Sequence, residues 1–85
     1  MRFKARLHVM LKPDVADVQG AAIQQSLRRH GHPVESVKAG KYFEVELDAP
    51  DEATAREQMT QLAEGTFSNP VIETWWLDLE PAGRR

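Results

Sequence analysis

The sequence predicts an α+β fold, a two-layer sandwich with two helices on one face of an antiparallel sheet. Three observations predict it. Apolar and polar residues alternate near both ends of the chain and in its middle. Two intervening stretches repeat apolar residues at helical spacing instead. Turn formers at Pro13-Asp14, Gly31, Pro50-Asp51 and Asn69-Pro70 separate these segments. The implied order is β-α-β-β-α-β in one domain over residues 1–80, with residues 81–85 a frayed tail.

From Arg2 to Lys12 the period is two. Phe3, Ala5, Leu7, Val9 and Leu11 point one way, and Lys4, Arg6, His8 and Met10 the other, as in a half-buried strand. Pro13-Asp14 stops it. Asp17 suits the N-cap of a helix from Val18 to about His30, because its carboxylate can accept a free first-turn amide. Val15, Val18, Ala22, Ile23 and Leu27 share a broad face of that helix. Arg28, Arg29 and His30 complement the dipole at its end, and Gly31 suits the left-handed residue that follows.

Residues 34–49 read as extended. Phe43, Val45, Leu47 and Ala49 alternate strictly with Tyr42, Glu44, Glu46 and Asp48. Gly40 either closes a hairpin or kinks one long bent strand, since glycine serves both. Pro50-Asp51-Glu52 opens a second helix carrying Ala55, Met59, Leu62 and Ala63 on one face, with Gly65 at its end. Val71 to Glu80 is β-rich and sets Trp75 and Trp76 on opposite faces.

Composition excludes several function classes. The chain has 85 residues, too few for two ordinary cores. Lys plus Arg total 11 against 13 Asp plus Glu, a formal charge of −2, which argues against nucleic acid and anionic membranes as partners. Cysteine is absent, so disulfides, thiolate nucleophiles and Cys-based zinc sites are excluded. No apolar run approaches the roughly 20 residues of a membrane span. The start Met1-Arg2-Phe3-Lys4 leads into no apolar segment of a signal peptide, so a cytoplasmic location is expected. At this length a monomer buries only about 60–65% of its unfolded surface, which favours an oligomer.

The search for chemistry finds little. His30 and His32 form a His-x-His pair with no third ligand placed by the sequence, and His8 stands apart on a strand. Glu44, Glu46 and Asp48 fall every second residue, as on the polar face of an amphipathic strand. No phosphate-binding glycine run or nucleophile elbow is present. No catalytic residues, bound cofactor or metal site are therefore assigned to the chain.

Two folds with this element order offer alternatives. Acylphosphatases bind phosphate at a Val-Gln-Gly run with an arginine four residues past the glycine. Here Val18-Gln19-Gly20 is followed by Gln24 in that place, so the guanidinium anchor is missing. RNA-recognition motifs carry a basic-Gly-aromatic run that Lys38–Phe43 resembles loosely. Tyr42, however, shares its face with Glu44, Glu46 and Asp48, which repel phosphates. A regulatory small-molecule-binding domain is a third reading of the same architecture.

Four segments, in order and spacing, resemble one family. They are Val9-Met10-Leu11-Lys12-Pro13, Asp17-Val18-Gln19-Gly20, Val37-Lys38-Ala39-Gly40-Lys41-Tyr42-Phe43-Glu44 and Asn69-Pro70-Val71-Ile72-Glu73. Together they resemble the PurS family, small subunits of phosphoribosylformylglycinamidine synthase, from about Phe3 to Leu79. The resemblance implies a non-catalytic subunit that bridges a glutaminase and a large ATP-dependent synthetase in purine synthesis and assists ammonia transfer. It implies a homo-oligomer, dimer or tetramer, within that complex, which uses ATP, Mg and glutamine. The family commonly has proline where Val18 stands and arginine where Lys38 stands. Lysine there forgoes a bidentate contact.

The face opposite the helices carries Met10, Tyr42 and one tryptophan among charges, a mixed composition suited to a protein interface. Candidate subunit-interface residues are Met10 and Tyr42 on that face, Trp75 and Trp76, one of which is suited to anchor an interface, and Lys41, whose family motif implies contact with the large subunit or the dimer partner. A second copy is the expected occupant of that face.

Overall fold

The computed structural model describes residues 1–82. Strand β1 runs Arg2–Leu11, helix α1 Val18–Arg29, strand β2 Gly40–Asp48, helix α2 Glu52–Leu62 and strand β3 Glu73–Pro81, with a π-helical turn Ala63–Phe67 extending α2. The three strands form one antiparallel sheet in the order β2-β1-β3. The class is α+β, as the alternating and helical periods predict.

The most regular alternation takes the centre of the sheet. Phe3, Ala5, Leu7 and Val9 of β1 are each at most 1% exposed. Helix α2 and the π turn that extends it lie over them with Ala55, Met59 and Ala63, all fully buried. Leu47 and Leu79 flank Phe3 at one end; Phe43, Phe67, Trp75 and Leu77 flank Leu7 and Val9 at the other. Asp51 caps α2 by accepting the Thr54 N–H at 2.8 Å.

The structure corrects the element order to β-α-β-α-β. The strand expected over residues 34–39 does not form, so Gly40 is neither a hairpin turn nor a kink. It is the first residue of β2, paired with Met10. Glycine is required there because an added Cβ would collide with the Met10 sulfur and lie 2.6 Å from the Val9 carbonyl. Residues 34–39 follow α1 instead. Gln24 Nε2 donates to the Glu35 carbonyl at 3.1 Å and Arg28 Nε to that of Val34 at 3.0 Å. These side-chain bonds occupy backbone groups that a ladder would have used.

Three boundaries also move. Gly65 does not end the second helix, which continues as the π turn to Phe67, where the Ser68 hydroxyl donates to the Ala63 carbonyl at 2.7 Å. Val71 and Ile72 lie in a turn before β3. Pro81 and Ala82, expected in the frayed tail, are instead held in place, Pro81 in β3 opposite Phe3 and Ala82 by its N–H donating to the Arg2 carbonyl at 2.8 Å. The rest of that tail, residues 83–85, lies outside the described residues.

The two helices share the cover unequally. Helix α1 buries only Gly20, while Val18 is 76% and Ile23 40% exposed. Its first turn is pinned and the rest projects. The radius of gyration is 16.5 Å, against about 12 Å for a compact chain of this length.

Candidate functional site

The motif segments converge on one place. Val9 and Leu11 at the end of β1, Asp17, Val18 and Gln19 at the start of α1, Ala39, Gly40 and Lys41 entering β2, and Glu73 opening β3 line a cleft of about 390 Å³. Asp17 organises it. One carboxylate oxygen accepts the Gly20 N–H and the other the Ala39 N–H, both at 2.8 Å. These two bonds, Ala39 first, hold the Asp17 carboxyl below the usual aspartate range. They tie the helix start to the segment entering β2. Gly20 fits because an added Cβ would strike the Val37 carbonyl and lie 2.6 Å from Asp17 Oδ2.

On the far side of the cleft, Lys41 Nζ is 3.2 Å from Glu73 Oε2. Glu73 Oε1 also accepts the Asn69 N–H at 2.7 Å, while Asn69 Oδ1 accepts from Val71 N. The Asn69 bond first, then Lys41, holds the Glu73 carboxyl below its usual value. Asn69-Pro70 is therefore a turn that sets the register of β3, and the Lys12 N–H donating to the Ile72 carbonyl at 2.8 Å extends that pairing.

The face away from α2 is the second notable surface. Cross-strand register lines up Tyr42, His8 and Trp76 across the sheet. His8 stacks on Trp76 at 4.9 Å with 7° between ring planes and meets Tyr42 at 5.0 Å and 45°. Tyr42 and Trp76 are each 49% exposed. Toward the other end, the central strand presents cations and the outer strands carboxylates. Arg2 pairs with Glu46 and Asp48, Lys4 with Glu44, Arg6 with Glu80 at 2.9 Å, and His8 with Asp78 at 3.5 Å. The Tyr42 hydroxyl donates to Glu44 at 2.8 Å. That bond raises the tyrosine pKa and lowers the glutamate's, and Arg6 lowers that of Glu80.

The five candidate interface residues divide between the surfaces. Met10, Tyr42 and Trp76 lie on the open face, with Met10 opposite Gly40 and Thr74. Lys41 lies on the helix side in the cleft, and Trp75 packs half-buried beside Leu7 and Val9. Sequence reasoning set His8 on this face but missed its stacking on Trp76 and its pairing with Asp78. The two-residue period of β1 and β3 marks them, once the register brings those strands together.

The residues weighed for chemistry stay apart. His30 Nδ1 is 2.7 Å from the Ser26 carbonyl, and His32 lines a separate cleft of about 410 Å³ with Arg28 and Pro33. Among the described residues no three His, Cys, Asp or Glu gather as metal ligands, and no helix is long and apolar enough to cross a membrane. Gln24, in the place of the acylphosphatase arginine, holds the Glu35 carbonyl.

The depressed carboxylates predict a pH dependence. Asp17, Glu44, Asp51, Glu73 and Glu80 all have folded pKa values below their ordinary ones. Each contributes stability that is present above the unfolded pKa, about 4, and is lost as pH falls through the lower folded value. The melting temperature is expected to hold near neutrality and to fall steeply below roughly pH 4. A flat profile through that acidic range would contradict these contacts.

Comparison with known proteins agrees with the converging motifs. The PurS family, phosphoribosylformylglycinamidine (FGAM) synthase, matches residues 4–81. The phosphoribosylformylglycinamidine synthase subunit PurS of Synechocystis sp. is 38% identical over 78 residues, 91% of this chain and 78% of that one. Thermus thermophilus PurS is 35% identical, with a TM-score of 0.82 over 98% of this chain and 100% of that one. A chain of the PurLQS structure from Thermotoga maritima is 28% identical, with a TM-score of 0.87 over 94% of this chain and 99% of that one. With its motif residues built into one cleft on the same fold, the chain belongs to the PurS family and is a PurS subunit of phosphoribosylformylglycinamidine synthase.

Proposed function

We propose that this chain is the non-catalytic bridging subunit of that synthase, joining the glutaminase subunit to the ATP-dependent synthetase subunit and assisting ammonia transfer between them. The observation that carries the reading is the likeness to a chain of the PurLQS assembly over nearly its whole length. The shape supports it. The accessible surface is 5925 Å², against about 5100 Å² for a compact monomer of 9.6 kDa. The surplus, roughly 800 Å², is comparable to the area one partner contributes to an interface of standard size. The chain works as a homo-oligomer, dimer or tetramer, inside the complex. ATP and Mg are held by the synthetase, and glutamine by the glutaminase.

Light scattering on the purified chain, alone and mixed with both partner subunits, tests the assembly. The chain alone is expected at a multiple of its monomer mass, with a melting temperature that falls on dilution. With it, glutaminase and synthetase are expected in one particle; without it, apart. A monomer with a concentration-independent melting temperature, or partners that assemble equally well without it, would refute the reading.

A further inference from the structure

Among the described residues, the open sheet face is short of positive charge. Among these residues its three strands set three permanent cations, Arg2, Lys4 and Arg6, against five carboxylates, Glu44, Glu46, Asp48, Asp78 and Glu80. Each of those cations is already paired with a carboxylate of this chain. Asp78 is different. Among the described residues its partner is the His8 imidazole at 3.5 Å rather than a permanent cation, and its side chain is 67% exposed. Beside it stands Trp76, stacked on His8 by one ring face. The opposite ring face is turned away from His8, on an edge strand of the sheet, and the residue is 49% exposed.

A flat aromatic surface next to an under-compensated carboxylate matches one side chain best. A guanidinium stacks on an aromatic face and pairs in the same plane with a carboxylate, which an ammonium does not do. We propose that the open face docks a segment of a partner subunit that presents an arginine, laid over the free face of Trp76 and paired with Asp78. Tyr42 and Met10 form the rest of the apolar floor on which the segment lies. Charge complementarity selects this occupant over a second copy, because two such faces would oppose surfaces that both carry excess negative charge. The sequence pattern suggested a second copy here; the register of the charges points to a basic partner. The proposal rests on the reading of the chain as an assembly subunit and adds which face docks and what it takes.

Binding of the full chain to purified synthetase and to purified glutaminase, measured separately by calorimetry, tests it. Trp76→Ala is expected to weaken one of these affinities at least about tenfold. Asp78→Asn, an exposed near-isosteric change, is expected to weaken the same one and to make it less sensitive to salt. Circular dichroism confirms that both variants are folded. Wild-type affinity in both variants, with the wild-type complex intact, overturns the docking proposal and leaves the assembly reading standing. A halved mass of Trp76→Ala alone in solution would assign the face to a second copy and likewise overturn it. Failure of the unaltered chain to bind either subunit overturns the assembly reading itself.

Discussion

Leu7→Ala is expected to destabilise the isolated chain by about 2–5 kcal/mol. Leu7 is fully buried at the middle of the central strand, where β2 and β3 pair on either side of it. It packs in one cluster with Val9, Ala63, Phe43, Phe67, Trp75 and Leu77. Truncation removes the transfer free energy of the lost methyl groups and leaves a cavity that strands tied on both edges cannot collapse into. A chain of this length has about 4–13 kcal/mol of total stability, so the substitution removes a large share of it. Leu7→Met keeps most of the volume and is expected to cost less than about 1.5 kcal/mol. Urea unfolding with all three proteins measures the difference. A Leu7→Ala midpoint no lower than that of an exposed change such as Gln58→Ala would show that the core lies elsewhere.

The same burial explains why the sequence was readable where it was. β1 is buried on one face and solvated on the other, so its alternation had to be strict, and Phe3 to Val9 could be read directly. Both helix starts were legible because Asp17 and Asp51 act through bonds three residues away. The extended reading of residues 34–39 failed for a non-local reason. Its neighbours are the cap residue Asp17 and, in α1, Gln24 and Arg28, not a strand, and no local pattern records that choice. The place of α1 was equally hidden. Its apolar face over Val18 and Ile23 looked like a core face, yet the chain's own sheet does not bury it.

The site was half legible. Tyr42, Met10 and a tryptophan on one face followed from the two-residue period alone. Which tryptophan, and that it stacks on His8 beside Asp78, depended on the register of β1 against β3. Lys41 carried a family motif but lies on the helix side, paired with Glu73, where it braces the cleft at the start of α1. The motif glycines have structural reasons of their own, in close approaches to Val37 and Val9. What the motifs mark is the joint between α1 and the sheet. That joint sets the angle at which a projecting helix and a charged sheet face are presented to other chains.

The largest effect is expected in the assembled enzyme, in the ratio of two activities. Ammonia in water at neutral pH is mostly ammonium, and once released it diffuses away. A closed path between subunits keeps the neutral nucleophile at high effective concentration beside its acceptor. A subunit that closes the path without doing chemistry matters only when ammonia must travel. Reconstituted glutaminase and synthetase should be assayed with glutamine and, separately, with saturating ammonium salt, each with and without this chain. Omitting the chain is expected to reduce glutamine-dependent turnover by at least about a hundredfold, on the scale of a lost positioning effect, while ammonia-dependent turnover is retained. Equal loss of both activities would place this chain in the chemistry of the synthetase, and no loss of either would deny it a role in the transfer.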